Sequence, residues 1–283
     1  MDIQWYPGHM AKAKRLLREQ LKLVDVVLEV RDARIPVSSG NPDLAELLGN
    51  KKRIILLNKA DLADGKRSQE WVNYFAGEGI KAIAITARPG DVKHLPSLIE
   101  ETASETERRR RKKGMAPRPK RAMVVGIPNV GKSSLINSVI KRSSAKTGDK
   151  PGVTRGNQWV RVRPDLEFLD TPGLLWPKFS SPETGFFLAV TGAIRQEVYD
   201  PVEVAHGFVD LLVERWPGLL AQTYQVVEER QPAHEILIAL GKKWGLLRAG
   251  GAVDEEKAAI RLLQDYRKGK LGSLTLEQPP DIE

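Results

Sequence analysis

The sequence predicts a mostly parallel, doubly wound α/β domain followed by a small all-α domain. Three observations carry that prediction. Six apolar runs rich in β-branched residues fall in the first 170 positions: "LVDVVLEV", "RIILLN", "IKAIAIT", "RAMVVGI", "QWVRVR" and "LEFLD". Patterns of helical period lie between several of them. From Trp176 the strand-like runs fade and amphipathic stretches take over. Apolar strands alternating with helices belong to a sheet covered on both faces, whereas a succession of helices packs as a unit of its own.

The elements follow in order. A basic helix is expected from His9 to about Leu23, with Leu16, Leu17 and Leu21 on one face, and residues 1–20 are set apart as an N-terminal basic helix. The α/β domain spans 21–176, with "LAELL", "QEWVNYFA" and "KSSLINSVI" as helices between strands and the adjacent "QWVRVR" and "LEFLD" as a hairpin. Residues 108–121, "RRRRKKGMAPRPKR", hold nine Lys or Arg and no acid; the glycine and two prolines mark the end of this run as an exposed connector, with an RNA contact as the alternative. In the helical domain, 177–283, the stretches "PVEVAHGFVDLLVERW", "AHEILIALGKKWGLL" and "EEKAAIRLLQDYRKG" are helices, and Trp216 and Trp244 are expected in their core. The tail "LEQPPDIE" reads as frayed.

Composition narrows the function. With 283 residues, 41% of them hydrophobic, the chain can bury a core; with no cysteine it holds neither disulfides nor thiolate metal sites. The first twenty residues lack the apolar segment of a secretory signal, and no run reaches the roughly 20 apolar residues of a membrane span. A cytoplasmic location is expected. Net charge is +14 over residues 1–179 and −5 over 180–283, a basic half suited to a polyanion such as RNA or DNA.

Two stretches carry the chemistry of phosphate. "GIPNVGKS", Gly126 to Ser133, fits G-x-x-x-x-G-K-[ST] between a strand-like run and a helix-like one. Its backbone N–H groups and helix N-terminus suit phosphate oxygens, Lys132 the β- and γ-phosphates, and the Ser133 hydroxyl a Mg²⁺ ion; Asn129, Val130, Gly131 and Ser134 complete the loop. "LEFLDTPG", 166–173, ends a strand in Asp-x-x-Gly, which places Asp170 near the metal and the Gly173 N–H toward the γ-phosphate. Between them lies the polar loop "TGDKPGVTRGNQW", where Thr154 is the candidate Mg²⁺ and γ-phosphate ligand, with Thr147 as rival.

A third stretch reads a base. In "NKAD", Asn58 to Asp61, the Asp61 carboxylate can accept from guanine N1–H and its 2-amino group, a pair adenine does not offer. One such charge-assisted bond is worth about 1.5–3 kcal/mol, enough for selectivity. Asn58 can meet the opposite edge, the stem of Lys59 can pack over the ring, Ala60 lies within the motif, and a backbone N–H at Thr86-Ala87 can reach guanine O6. The order along the chain is base reader, Thr86-Ala87, phosphate loop, Thr154, "DTPG": a GTPase cut before its fourth strand and rejoined through residues 101–121.

With "WYPGHMAKA", "NKAD", "GIPNVGKSSLIN", "PGVTR" and "DTPGLLWPK", the chain resembles the circularly permuted GTPases of bacterial ribosome assembly from about residue 3 to the helical tail. The resemblance implies a circularly permuted P-loop GTPase fold, GTP hydrolysis to GDP with Mg²⁺, and late action on the large ribosomal subunit and its rRNA rather than DNA; a monomer is expected. Where signalling GTPases hold water with Gln, this chain has Leu174 and then Leu175, so intrinsic hydrolysis should be slow. The resemblance offers His9, a K⁺ ion held by Asn129, or the ribosome as the missing help. Two other classes stay open: an accessory GTPase of RNA modification, and a GTP-switched protein-binding module. His94, His206 and His234 show no ligand spacing.

Overall fold

The computed structural model describes residues 15–49, 51–147, 158–170, 181–225 and 231–280. They form two compact units: one holds residues 15–170 and 275–280, the other 181–274.

The first unit is built on a six-stranded sheet, β1 (Val26–Asp32), β2 (Lys52–Asn58), β3 (Lys81–Ala84), β4 (Lys120–Val125), β5 (Gln158–Arg163) and β6 (Leu166–Asp170), in the order β3-β2-β1-β4-β6-β5. All neighbours are parallel except β5, which forms the expected hairpin with β6. Counting from β4 instead of β1 turns this order into 6-5-4-1-3-2, a doubly wound sheet whose chain has been reopened between its third and fourth strands. β1 and β4 are neighbours from which the chain winds outward in both directions, and ligands bind at the carboxyl ends of such a pair.

Alternating side chains bury both faces. Val27 of β1 and Met123 and Val125 of β4 pack with Leu17 and Leu21 of α1 (15–21) and Leu44 and Leu48 of α2 (Pro42–Leu48). On another side, Ile55 and Leu57 of β2 pack with Trp71 and Phe75 of α3 (Gly65–Gly77). Leu16, expected on the buried face of α1, is 40% exposed; of the three leucines Leu17 and Leu21, four apart, are the buried ones. Residues 108–112, which begin that basic run, are the last turn of α4 (Leu95–Lys112), extended by Glu105–Arg109 and Glu107–Arg111 pairs at i,i+4 and by four basic side chains at the negative end of the helix dipole. Met115 to Pro117 beyond it are exposed. The phosphate-loop helix is α5 (Lys132–Thr147).

The second unit contains α6 (Pro182–Thr191), α7 (Pro201–Arg215), α8 (Leu219–Tyr224), α9 (Ala233–Lys243) and α10 (Glu255–Arg267). Its core joins Val204, Phe208 and Leu212 of α7, Leu237 and Leu240 of α9, and Leu262, Leu263 and Tyr266 of α10. Trp216 and Trp244 are half-buried instead of central; Trp244 lies against the edge of Tyr224 and beneath the Arg261 guanidinium, 4.7 Å from its ring centre.

The tail corrects a second expectation. Thr275 to Glu277 are buried in the first unit rather than frayed. Leu276 N donates to the Arg34 carbonyl at 2.8 Å, Asp64 N donates to Thr275 Oγ1 at 3.0 Å, and Trp71 Nε1 donates to the Glu277 carbonyl at 3.3 Å. The Glu277 carboxylate accepts from the backbone N–H groups of Val37 and Ser38 at 2.6 and 2.9 Å. Polar groups of the tail thus replace water at the backbone they cover.

Candidate nucleotide-binding site

The phosphate loop leaves β4 at the switch point and turns into α5. Gly126 is required there: with φ at +153°, a Cβ would lie 2.4 Å from the Val30 carbonyl of β1. Asn129 stands exposed at the turn with φ at +60°, and Ser133 and Ser134 are exposed on the first turn of α5. The Lys132 ammonium is buried against the loop and donates to the carbonyls of Gly126 and Ile127 at 3.1 and 2.9 Å.

The base-reading stretch converges on the same corner although it lies some seventy residues earlier. Asn58 ends β2 at 2% exposure, and its Nδ2 donates to the Val130 carbonyl inside the phosphate loop at 2.7 Å. An amide nitrogen has two hydrogens, so this bond leaves one for a ligand. Gly131 faces that amide: a Cβ there would lie 2.3 Å from Nδ2. Lys59 follows in the left-handed region at φ +61°, and a short 3₁₀ turn, Ala60–Leu62, presents Asp61. Ala60 N donates to the Ile85 carbonyl at 3.1 Å, which draws the loop after β3 toward the reader. There Thr86 Oγ1 stands 3.5 Å from Asp61 Oδ1, and Ser138 Oγ of α5 donates to the Ala87 carbonyl at 2.7 Å. Asn58 to Asp61, Thr86-Ala87 and the phosphate loop therefore form one connected set.

Asp170 ends β6, paired in register with Val124 of β4, two residues before the loop. His9, Thr154 and Gly173 lie outside the described residues. So does the Leu174-Leu175 pair; Thr147 ends α5. Among the described residues no group of three or more His, Asp or Glu side chains is arranged to hold a metal.

Two features were not legible in the motifs. Arg88 pairs with Asp61 through Nη2 at 2.8 Å, an exposed contact two residues past Thr86. Asp32, at the end of β1, is buried beside Arg34 and Lys59. Burial works to raise its carboxyl, but the Arg34 guanidinium and then the Lys59 ammonium outweigh it and hold the group well below the usual carboxylate range. An Asp two residues before an Arg at a strand end was the available signal.

The comparisons with known proteins agree with this geometry. A family model described as a 50S ribosome-binding GTPase matches residues 121–236. The chain is 46% identical over 285 residues to ribosome biogenesis GTPase A of Priestia megaterium, covering 100% of this chain and 99% of that protein. It is similar to GDP-bound TM YlqF with a TM-score of 0.66 at 26% identity, over 94% of this chain and 100% of that one. With GNP-bound YlqF from T. maritima the TM-score is 0.64 at 28% identity, over 96% and 100%. A permuted GTPase sheet, a base reader bonded to a phosphate loop and full-length relatives of this identity lead to one conclusion: the chain belongs to the ribosome biogenesis GTPase A family.

Proposed function

We propose that this GTPase docks on the large ribosomal subunit, through rRNA, and uses GTP hydrolysis to leave or to check the particle late in its assembly. The observation that carries the nucleotide half is the 2.7 Å bond from Asn58 to Val130, which makes the guanine reader and the phosphate loop parts of one pocket. In this reading Asp61 accepts from guanine N1–H and the 2-amino group, Asn58 meets the opposite edge, the Lys59 stem stacks on the ring and the Thr86-Ala87 backbone meets O6. Val130, Gly131, Lys132, Ser133 and Ser134 hold the phosphates, and Gly173 senses the γ-phosphate.

A Mg²⁺ ion fits the donors present. The Ser133 hydroxyl is exposed at the start of α5 and Asp170 ends the neighbouring strand, while Thr154 comes from the polar loop; few protein oxygens beside phosphates suit a cation that keeps most of its waters. Bound there, it would neutralise charge developing between the β- and γ-phosphates. The attacking water is placed by His9, by K⁺ at Asn129, or by the ribosome. Basic segments 11–22 and 108–121 supply the RNA contacts, in a monomer working in the cytoplasm; the resemblance, the name of the matching family model and the charge of the first 179 residues support that reading.

The test joins both halves. Asp61→Asn should shift preference from guanosine toward xanthosine triphosphate, and the unmodified protein should sediment with large subunits more strongly with a GTP analogue than with GDP, less so as salt rises. Unchanged base preference refutes the pocket; equal sedimentation in both nucleotide states refutes the switch.

A further inference from the structure

The carboxyl end of β1 holds a charge cluster that the nucleotide motifs do not account for. Asp32 is 2% exposed, and its carboxylate accepts from Arg34 Nε at 2.9 Å and Nη2 at 2.7 Å. Its Oδ2 also meets the Lys59 ammonium at 3.0 Å. The sheet puts them together: Asp32 is the register partner of Asn58, and Ala33 N donates to the Asn58 carbonyl at 2.7 Å. Arg34 is anchored in turn, because its carbonyl accepts from Leu276 N of the buried tail.

Lys59 is in an unusual position for a long side chain. Its backbone is left-handed and its side chain three-quarters buried, so the stem leaves the chain in a fixed direction, and an acceptor at its tip fixes the other end. A lysine otherwise samples many rotamers, and each must be lost when a ring stacks on it. An ion pair formed before the nucleotide arrives removes that loss from binding.

We propose that Asp32 is a positioning residue for guanine nucleotides: it holds the Lys59 ammonium so that the lysine stem is already laid out where the purine stacks, and it acts through Lys59 without touching the nucleotide. This rests on the reading of Lys59 as the ring's platform. Arg34 keeps the carboxylate ionised and oriented, and the tail keeps Arg34 in place.

The full chain carrying Asp32→Asn, Lys59→Met or both is titrated with a fluorescent GDP and, in competition, with inorganic tripolyphosphate, which has no base. Asp32→Asn is expected to weaken GDP about tenfold, as loss of one charge-assisted contact would. Tripolyphosphate should bind as before, and in the Lys59→Met background Asp32→Asn should add nothing. Equal losses for both ligands, or losses that multiply in the double variant, would overturn the proposal in favour of a merely structural aspartate. Should Asp32→Asn fail to fold because it strands a buried cation, Asp32→Asn with Arg34→Gln removes both charges and is expected to give the same pattern. A weakened Lys59→Met beside an unaffected Asp32→Asn overturns the role of Asp32 alone; an unaffected Lys59→Met overturns the platform reading beneath it.

Discussion

If Asn58 and Gly131 truly share one contact, their substitutions must fail to add. Asn58→Ala removes the donor to Val130, whose carbonyl lies in a residue only 1% exposed, and an orphaned buried acceptor costs about 1–3 kcal/mol. Gly131→Ala does two things. It forces an L-residue to φ +97°, at about 1–2 kcal/mol, and it drives a methyl to within 2.3 Å of Asn58 Nδ2, pushing the amide off the same carbonyl. The other atom within 4 Å of that methyl is Asn58 Cγ, so no further group needs to give. The single change at Gly131 should therefore cost about 2–5 kcal/mol, strain plus the same lost bond. In the double variant the clash is gone and the bond is lost once, so the total should fall short of the sum by about 1–3 kcal/mol. Native-state hydrogen exchange at the amides of β1, β2 and β4 reads the stability of this unit separately from that of the helical one. Additivity within about 0.5 kcal/mol would mean that the two residues do not meet, and would dissolve the link between base reader and phosphate loop.

Three other outcomes follow from named contacts. Arg88→Ala frees Asp61 from an exposed pair worth at most about 1 kcal/mol, so GDP should bind up to about fivefold more tightly in a fluorescence titration; a tenfold loss would place Arg88 on the nucleotide. Glu277→Ala takes a carboxylate from two backbone N–H groups and should cost about 2–4 kcal/mol, seen as a lower thermal midpoint and faster carboxypeptidase trimming toward Leu274, whereas an unchanged melt would refute the docked tail. Because the Asp32 carboxyl is depressed by folding, its contribution is whole above the ordinary aspartate value and is lost as pH falls below about 4; circular dichroism between pH 5 and 2 should show a shallower acid limb for Asp32→Asn with Arg34→Gln than for the unmodified chain.

Most of the sheet was legible because its strands are buried on both faces and so appear as apolar runs, as "IILL" does in β2. The phosphate loop and base reader were legible because each needs fixed residue types at fixed spacing. What escaped reading depended on distant partners. Helix α6, "PETGFFLAVT", is buried nearly all round and has no polar face to set a period, so amphipathicity could not reveal it. Helix α8 spans only six residues. Leu16 and Leu17 are equivalent as sequence, and only packing against Val27 and Met123 tells them apart. The tail appeared loose because "LEQPP" holds Pro and charge, yet Glu277 finds two backbone donors nearly 240 residues away, and Leu276 disappears into the protein.

That returning tail makes the helical unit an insert spliced into the nucleotide domain rather than an appendage hung from its end. Shortening the chain after "DTPG" would look like clean removal of one module, but it would also strip the covering from Trp71 and leave the amides of Val37 and Ser38 to water. An excision that respects this threading takes out only the helical unit and keeps Thr275 to Glu277 in their seat.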